Sequence, residues 1–480
     1  MQLIWNIVRE KRGNKVRKKA YFYVTMILTA CLSSGCAFFS SGSDNRPADE
    51  KSGGTIPDEG KIKITYAQWS VPSGKLIKEV IDSFNSSNSG NVNVEAVEIP
   101  LDRYIETINL LNSSGQAPDV FEAMEEWITS YVYNNYVADL SKFIKNDFFD
   151  GYPDWIKEFI KSSEKEGTIF SLPSIQITYR LIYNKELFEI AGLDAEKPPR
   201  TLKELKKYAK IISDSEKGQR KYGFAIPMGD EWLGFVQPME AVSSYSGINF
   251  YDFNEGRYNL SVYKPWLSAI KELDENGGMF PGMRSMKSEL ALTQFAQGNI
   301  GMMYVASWQA SMLFGQLLPE FDWGIAIPPA IDEGSTGKGK VSVKLAGWNV
   351  ISSASKNKEE AFGFWKYLYS DECQGYLFKN GSAIPLMDIW AGERDYQPEN
   401  HMYQSFMPGS SDAIYSATPM IMDEWPRIKV YLKAVSQSDM DTVLLEETNR
   451  LNVLLNTQTS RNAVFTYKTF KPHNPWIDYP

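Results

Sequence analysis

The chain has 480 residues, with 59 acidic against 50 basic side chains and a formal net charge of −9. Removing residues 1–35, which hold seven Lys or Arg and one acid, takes the rest to −15, a surface that argues against nucleic acid and anionic lipid as partners. Only two histidines, His401 and His473, are present, which removes most metal clusters and disfavours a Ser-His-Asp triad.

The first element reads as an export signal. Lys15, Arg17, Lys18 and Lys19 precede an apolar run from Tyr21 to Cys31, and Leu32-Ser33-Ser34-Gly35 brings small residues up to Cys36. A cysteine directly after such a cut resembles the lipobox of bacterial lipoproteins, in which that thiol is acylated. The alternative is a plain signal peptide with an incidental cysteine, since Ser33 stands where an aliphatic residue is preferred. The apolar run is shorter than the about 20 residues a spanning helix needs. After processing and acylation only Cys373 is left, so no intramolecular disulfide is expected. Residues 36–60 are rich in Ser, Gly, Asp and Pro and read as a flexible tether.

The folded body begins at residue 61. Ile62, Ile64 and Tyr66 alternate as in a strand, and Leu76, Ile77, Val80, Ile81 and Phe84 recur at helical spacing. Val92 and Val94 open a second strand; Tyr104, Ile105, Ile108 and Leu111 mark a second helix. Pro118-Asp119-Val120-Phe121 reads as a third strand, with a helix from about Trp127. The alternation resumes at Leu181-Ile182-Tyr183, and Thr201-x-x-Glu204 announces a capped helix. Strands alternating with helices indicate an α/β fold with parallel sheets.

Five ordered segments resemble one family, the extracellular solute-binding proteins of ABC importers, in the branch that carries sugars. They are Ile62–Trp69; Ala117-Pro118-Asp119-Val120; Leu172-Pro173 with Leu181–Phe188; Phe295–Gly298 through Met302-Met303 to Ser307-Trp308; and Gly347–Ile351 with Ser355–Ala361. The resemblance covers about residues 61 to 455. It implies a periplasmic-binding-protein-like fold (type II): two α/β lobes joined by a hinge the chain crosses three times, with ligand between them. The implied first lobe is 61–172 and 353–405, and the second is 176–347 and 415–480. Crossings are expected near Leu172–Thr178, near Ala346–Ser352, and between Tyr403 and Tyr415. The implied protein is a monomeric, lipid-anchored, extracytoplasmic receptor that hands a carbohydrate to membrane permease subunits, without catalysis or cofactor. Alternatives are a secreted carbohydrate-active hydrolase and a sugar-sensing receptor coupled to a sensor kinase.

A sugar needs flat aromatic rings for its C–H faces and amides, carboxylates or cations for its hydroxyls. Twelve of the 13 tryptophans follow Cys36. Of these, the resemblance puts Trp69, Trp308 and Trp425 at the cleft, with Trp232 and Trp348 as further candidates. Trp348 also reads as a hinge-packing residue. The polar candidates are Gln68 after the first strand, Asp119, Glu122 and Glu126 around the third, and Gln176, Thr178 and Tyr179 at the first crossing. An acid after a strand also suits a helix N-terminus or a brace, the competing reading for Asp119, Glu122 and Glu126. Phe362, Trp365, Tyr369 and Cys373 read instead as a helix core stripe. Gly334-x4-Gly339-Lys340 spells most of a phosphate loop, but the strand-like Val341-Ser-Val-Lys-Leu follows where a helix must begin.

Overall fold

The computed structural model describes residues 60–461, apart from 70–73, 89–90, 101–102, 151, 153–167, 387–396, 416–417, 419–426 and 437–438, together with residues 476–478. In chain order the strands are β1 (Ile62–Trp69), β2 (Val92–Ile99), β3 (Val120–Ala123), β4 (Ile175–Ile177), β5 (Tyr179–Asn184), β6 (Tyr251–Asp252) and β7 (Arg257–Tyr258). There follow β8 (Met302–Ala306), β9 (Trp323–Ala326), β10 (Val341–Ala346), β11 (Trp348–Ile351), β12 (Ile384–Pro385), β13 (Asp412–Tyr415) and β14 (Trp476–Asp478). β6 and β7 form a short separate hairpin.

The first lobe is built on a sheet of order β11-β3-β1-β2, with β1 parallel to β2 and β3 and with β11 antiparallel to β3. The period of two sorts its side chains onto two cores. Ile64, Tyr66 and Val120 pack with Phe364 and Trp365; Ala67 and Phe121 pack with Tyr104 and Ile108. The helix Gly74–Ser87 covers the first of these faces through Val80, Ile81 and Phe84. Each large side chain so buried contributes about 1.5–3 kcal/mol. Trp365 also donates from Nε1 to the Asn349 carbonyl at 2.7 Å. Cys373 is buried in the same core, and desolvation pushes its thiol up to about 12, which keeps it protonated and inert.

The second lobe surrounds a three-stranded sheet of order β8-β5-β9. Every residue of β5 is buried, as a central strand covered on both faces requires. The helix Leu202–Ser215 starts on Thr201, whose Oγ1 accepts from the Glu204 N–H at 3.2 Å. The helix Met440–Arg461 is capped by Asp439, which accepts from the Thr442 N–H at 3.0 Å. Gly339 and Lys340 lead into strand β10, so no helix N-terminus follows them to cradle a phosphate.

The two lobes meet on a five-stranded hinge sheet of order β12-β4-β10-β13-β14. The first crossing runs from Leu172, in the first core, to Leu181, in the second. The second returns through β10 and β11. The two are stitched together: the Ser174 N–H donates to the Ala346 carbonyl at 3.0 Å. Gly347 holds φ at +69°, and a Cβ there would lie 2.1 Å from Ser174 Oγ, so this bend accepts only glycine. The third crossing differs from the expected one. Cys373 and Leu386 are in the first core, whereas Tyr403 and Phe406 pack in the second, so the chain has crossed before Tyr403. Residues near 403–406 therefore belong with the second lobe. The C-terminal β14 adds antiparallel to β13 at the edge of the hinge sheet. Among the described residues no helix is long and apolar enough to cross a membrane.

Candidate functional site

The carboxyl ends of β1 and β3 form one wall. Tyr66 pairs with Val120, and two residues on, Gln68 and Glu122 emerge on the same face. The Tyr104 hydroxyl lies 2.7 Å from the Glu122 carbonyl and 3.1 Å from that of Ala67, plugging the gap where the strands part. Asn349 pairs with Glu122 from β11 and accepts from the Tyr66 hydroxyl at 3.0 Å. Burial first and the Glu122 carboxylate second hold the Tyr66 and Tyr104 hydroxyls well above their ordinary range, so both remain protonated donors. Gln68 is half-buried, and its Oε1 is enclosed with no hydrogen-bond partner among the described residues.

The floor is the hinge sheet. Lys344 lies opposite Ile177 and Ala346 opposite Ile175, and all four are half-exposed on one face. Beside Ile177 stands the second wall. Trp308 is half-buried in the turn Ser307–Gln309 that follows β8. Its ring packs against a small core of Tyr179, Ala241, Ala306 and Val341, with Ile177 and Tyr245 alongside. The turn is fixed at both ends: the Ser307 N–H donates to the Thr178 carbonyl at 2.9 Å, and Gln309 Oε1 accepts from the Ala306 N–H at 2.9 Å. Trp232 is half-buried on a π-helical turn, Glu231–Val236, that runs into the helix Gln237–Tyr245. Such turns recur at functional sites. No group of three or more His, Cys, Asp or Glu poised for a metal is present among the described residues.

The first lobe thus carries amide and acidic groups at its strand ends, and the second carries a half-exposed indole in a fixed turn. Residues 68–375 match the family described as bacterial extracellular solute-binding protein. The chain belongs to that family. A binding protein of Brucella abortus (strain 2308) is 26% identical over 407 residues, covering 83% of this chain and 94% of its own. The sn-glycerol-3-phosphate-binding periplasmic protein of Salmonella typhimurium is 22% identical over 322 residues, 63% of this chain and 69% of its own. A solved ABC-transporter solute-binding protein of Thermotoga lettingae, bound with α-D-tagatose, superposes with a TM-score of 0.65 at 18% identity, covering 83% of this chain and all of that one. The shared fold is the two-lobed type II arrangement, as the resemblance implied.

Within this solute-binding protein the sequence candidates separate. Gln68 and Glu122 emerge half-buried on one face at the strand ends of the first lobe, Trp308 is half-buried in the turn after β8, and Trp232 is half-buried on its turn. Five others have structural partners instead, and their expected ligand contact is corrected. Asp119 lies before β3, at the end away from the cleft: its carboxylate accepts from Thr65 N and Oγ1 at 2.9 and 2.8 Å and from Ser355 Oγ at 2.6 Å. Gln176 points to the back of the hinge sheet and donates from Nε2 to the Pro385 carbonyl at 3.0 Å. Thr178 Oγ1 donates to the Phe406 carbonyl at 2.5 Å, and Tyr179 is buried in the core under Trp308. Trp348 is buried between the lobes against Val343, Ile414 and Ile128, with Nε1 donating to the Leu345 carbonyl at 3.1 Å. Trp69 ends β1 and Glu126 lies in the helix Glu125–Tyr133, but their side chains, and Trp425 and Cys36 altogether, fall outside the described residues. The residue that sequence reasoning passed over is Lys344. The alternation of Val341, Val343 and Leu345 with Ser342 and Lys344 already placed that lysine on the face opposite the apolar one.

Proposed function

We propose that this chain is a lipid-anchored, extracytoplasmic receptor that captures a neutral carbohydrate between its lobes and delivers it to an ABC importer, without chemical turnover. The observation that carries the reading is Trp308: a half-exposed indole in a turn fixed by hydrogen bonds at both ends, in a fold whose first lobe presents Gln68 and Glu122 at its strand ends. A sugar ring presents a C–H face to the plate and hydroxyls to Gln68 and Glu122. The tagatose bound by the Thermotoga protein supports this class of ligand. The glycerol-phosphate relative raises the alternative of an anion. The cleft residues argue against it: Glu122 is acidic, and the ammonium of Lys344 is already paired with Glu240 at 2.8 Å. A phosphate dianion requires uncommitted cations or backbone N–H groups.

The test is a thermal-shift screen of the exported protein against neutral mono- and oligosaccharides, because a ligand that binds the native state alone raises the melting temperature. The lipid anchor is tested separately. Cys36→Ser should release the protein from the membrane fraction into the medium; continued membrane retention of that variant argues against acylation at Cys36.

A further inference from the structure

On the cleft floor, Lys344 and Glu240 form an ion pair that neither core needs. Glu240 sits in the helix Gln237–Tyr245 with its side chain only 8% exposed; Lys344, on β10, is 36% exposed and places Nζ 2.8 Å from Glu240 Oε2. The same helix is already tied to the same strand by the Ser342 N–H, which donates to Ser244 Oγ at 2.9 Å, and by the packing of Ala241 against Val341. Burying a carboxylate is costly, and pairing offsets part of that cost; replacing both groups by apolar ones would serve packing as well. The pair therefore invites a use beyond holding the helix.

Its position supplies one. Lys344 pairs across the strands with Ile177, and Ile177, Tyr245 and Trp308 each pack against the same small core of Tyr179, Ala241, Ala306 and Val341. Lys344 thus sits half-exposed on the hinge sheet, paired across the strands with a residue that shares a small core with Trp308. Its ammonium has three N–H bonds, and Glu240 takes one; no other protein acceptor is bonded to it among the described residues. Glu240 also cancels most of its charge locally. We propose that Lys344 is a specificity-determining residue of the cleft, donating to a hydroxyl or ring oxygen of the ligand beside Trp308, and that Glu240 is a positioning residue that fixes the ammonium and keeps the floor from drawing anions. This rests on the carbohydrate reading above and narrows it to neutral sugars whose ring edge reaches the hinge.

The experiment uses the exported protein and a panel of maltotriose, raffinose, D-tagatose and, as the anion, D-glucuronate, with calorimetric titration of any sugar that raises the melting temperature. Lys344→Met should weaken the best neutral sugar about 10- to 100-fold, the size of a lost charge-assisted hydrogen bond. Lys344→Met also strands the Glu240 carboxylate and should lower the ligand-free melting temperature, so the control is Lys344→Arg, which keeps the ion pair and should recover both the melting temperature and most of the affinity. Glu240→Gln frees the ammonium from its counter-charge and should raise affinity for D-glucuronate relative to the neutral sugar, a change in selectivity that a purely structural tie would not produce. Unchanged neutral-sugar affinity in Lys344→Met, or unchanged selectivity in Glu240→Gln, overturns the assignment while leaving the carbohydrate reading intact. If no neutral member of the panel binds the wild type, the carbohydrate reading fails and this one falls with it.

Discussion

Replacing Arg180 with methionine should destabilise the protein by about 3–5 kcal/mol, the cost of stranding one partner of a buried ion pair. Arg180 and Asp412 are 4% and 2% exposed and meet through two parallel bonds of 2.9 Å. The guanidinium also donates to the carbonyls of Ser405, Met407 and Tyr179, and Asp412 accepts a further bond from the Gly409 N–H. One side chain therefore staples the segment after the third crossing to the first strand of the second lobe. In the variant Asp412 keeps one N–H donor and loses its counter-charge, while two carbonyls of residues 405–407 lose their donor. Urea unfolding should report this loss directly. An Arg180→Met, Asp412→Leu double variant should lose less than the two single changes summed, because no charge is then left unpaired. A single-variant loss below about 1 kcal/mol, the range of a surface pair, would mean that the pair is solvated and the staple is not there.

Trp308→Ala should separate binding from folding. The ring is half-exposed, so its removal takes an apolar plate from the cleft, and the core beneath it (Tyr179, Ala241, Ala306, Val341) keeps its own packing. Sugar affinity should fall by about 1–3 kcal/mol, or roughly 5- to 150-fold. The fold should lose less than the about 3–5 kcal/mol expected for emptying a true core site. A large drop in melting temperature with unchanged affinity would reassign Trp308 to the core.

The parts of this molecule that were legible in its sequence are those set by local periodicity. The alternation of Ile62, Ile64 and Tyr66 gave β1, the stripe of Val80, Ile81 and Phe84 gave the covering helix, and the ordered motifs gave the family. The hinge polar residues were misread for a specific physical reason. In Ser174-Ile175-Gln176-Ile177-Thr178 the usual rule sends Gln176 and Thr178 toward solvent and the isoleucines inward. The structure does the reverse, because both faces of this strand are partly enclosed. The polar side chains face the side where carbonyls wait for them, those of Pro385 and Phe406, more than 200 residues away in sequence. Asp119 was ambiguous on the same ground: its partners Thr65 and Ser355 are 54 and 236 residues distant. No window of local sequence shows an acceptor that arrives on another crossing. The third crossing was misplaced likewise, since Tyr403 and Phe406 reveal their lobe only through the core they join.

The measurement that bears most directly on the central claim is the melting temperature of the exported protein across neutral sugars, with sugar acids, amino acids and short peptides as the contrasting set. The account predicts that at least one neutral sugar raises it saturably, with a stabilisation of about 2.7 kcal/mol at a hundredfold excess over the dissociation constant. The same sugar should reduce the radius of gyration as the lobes close. A protein that ignores every neutral sugar and is stabilised instead by an anion, an amino acid or a peptide would contradict it.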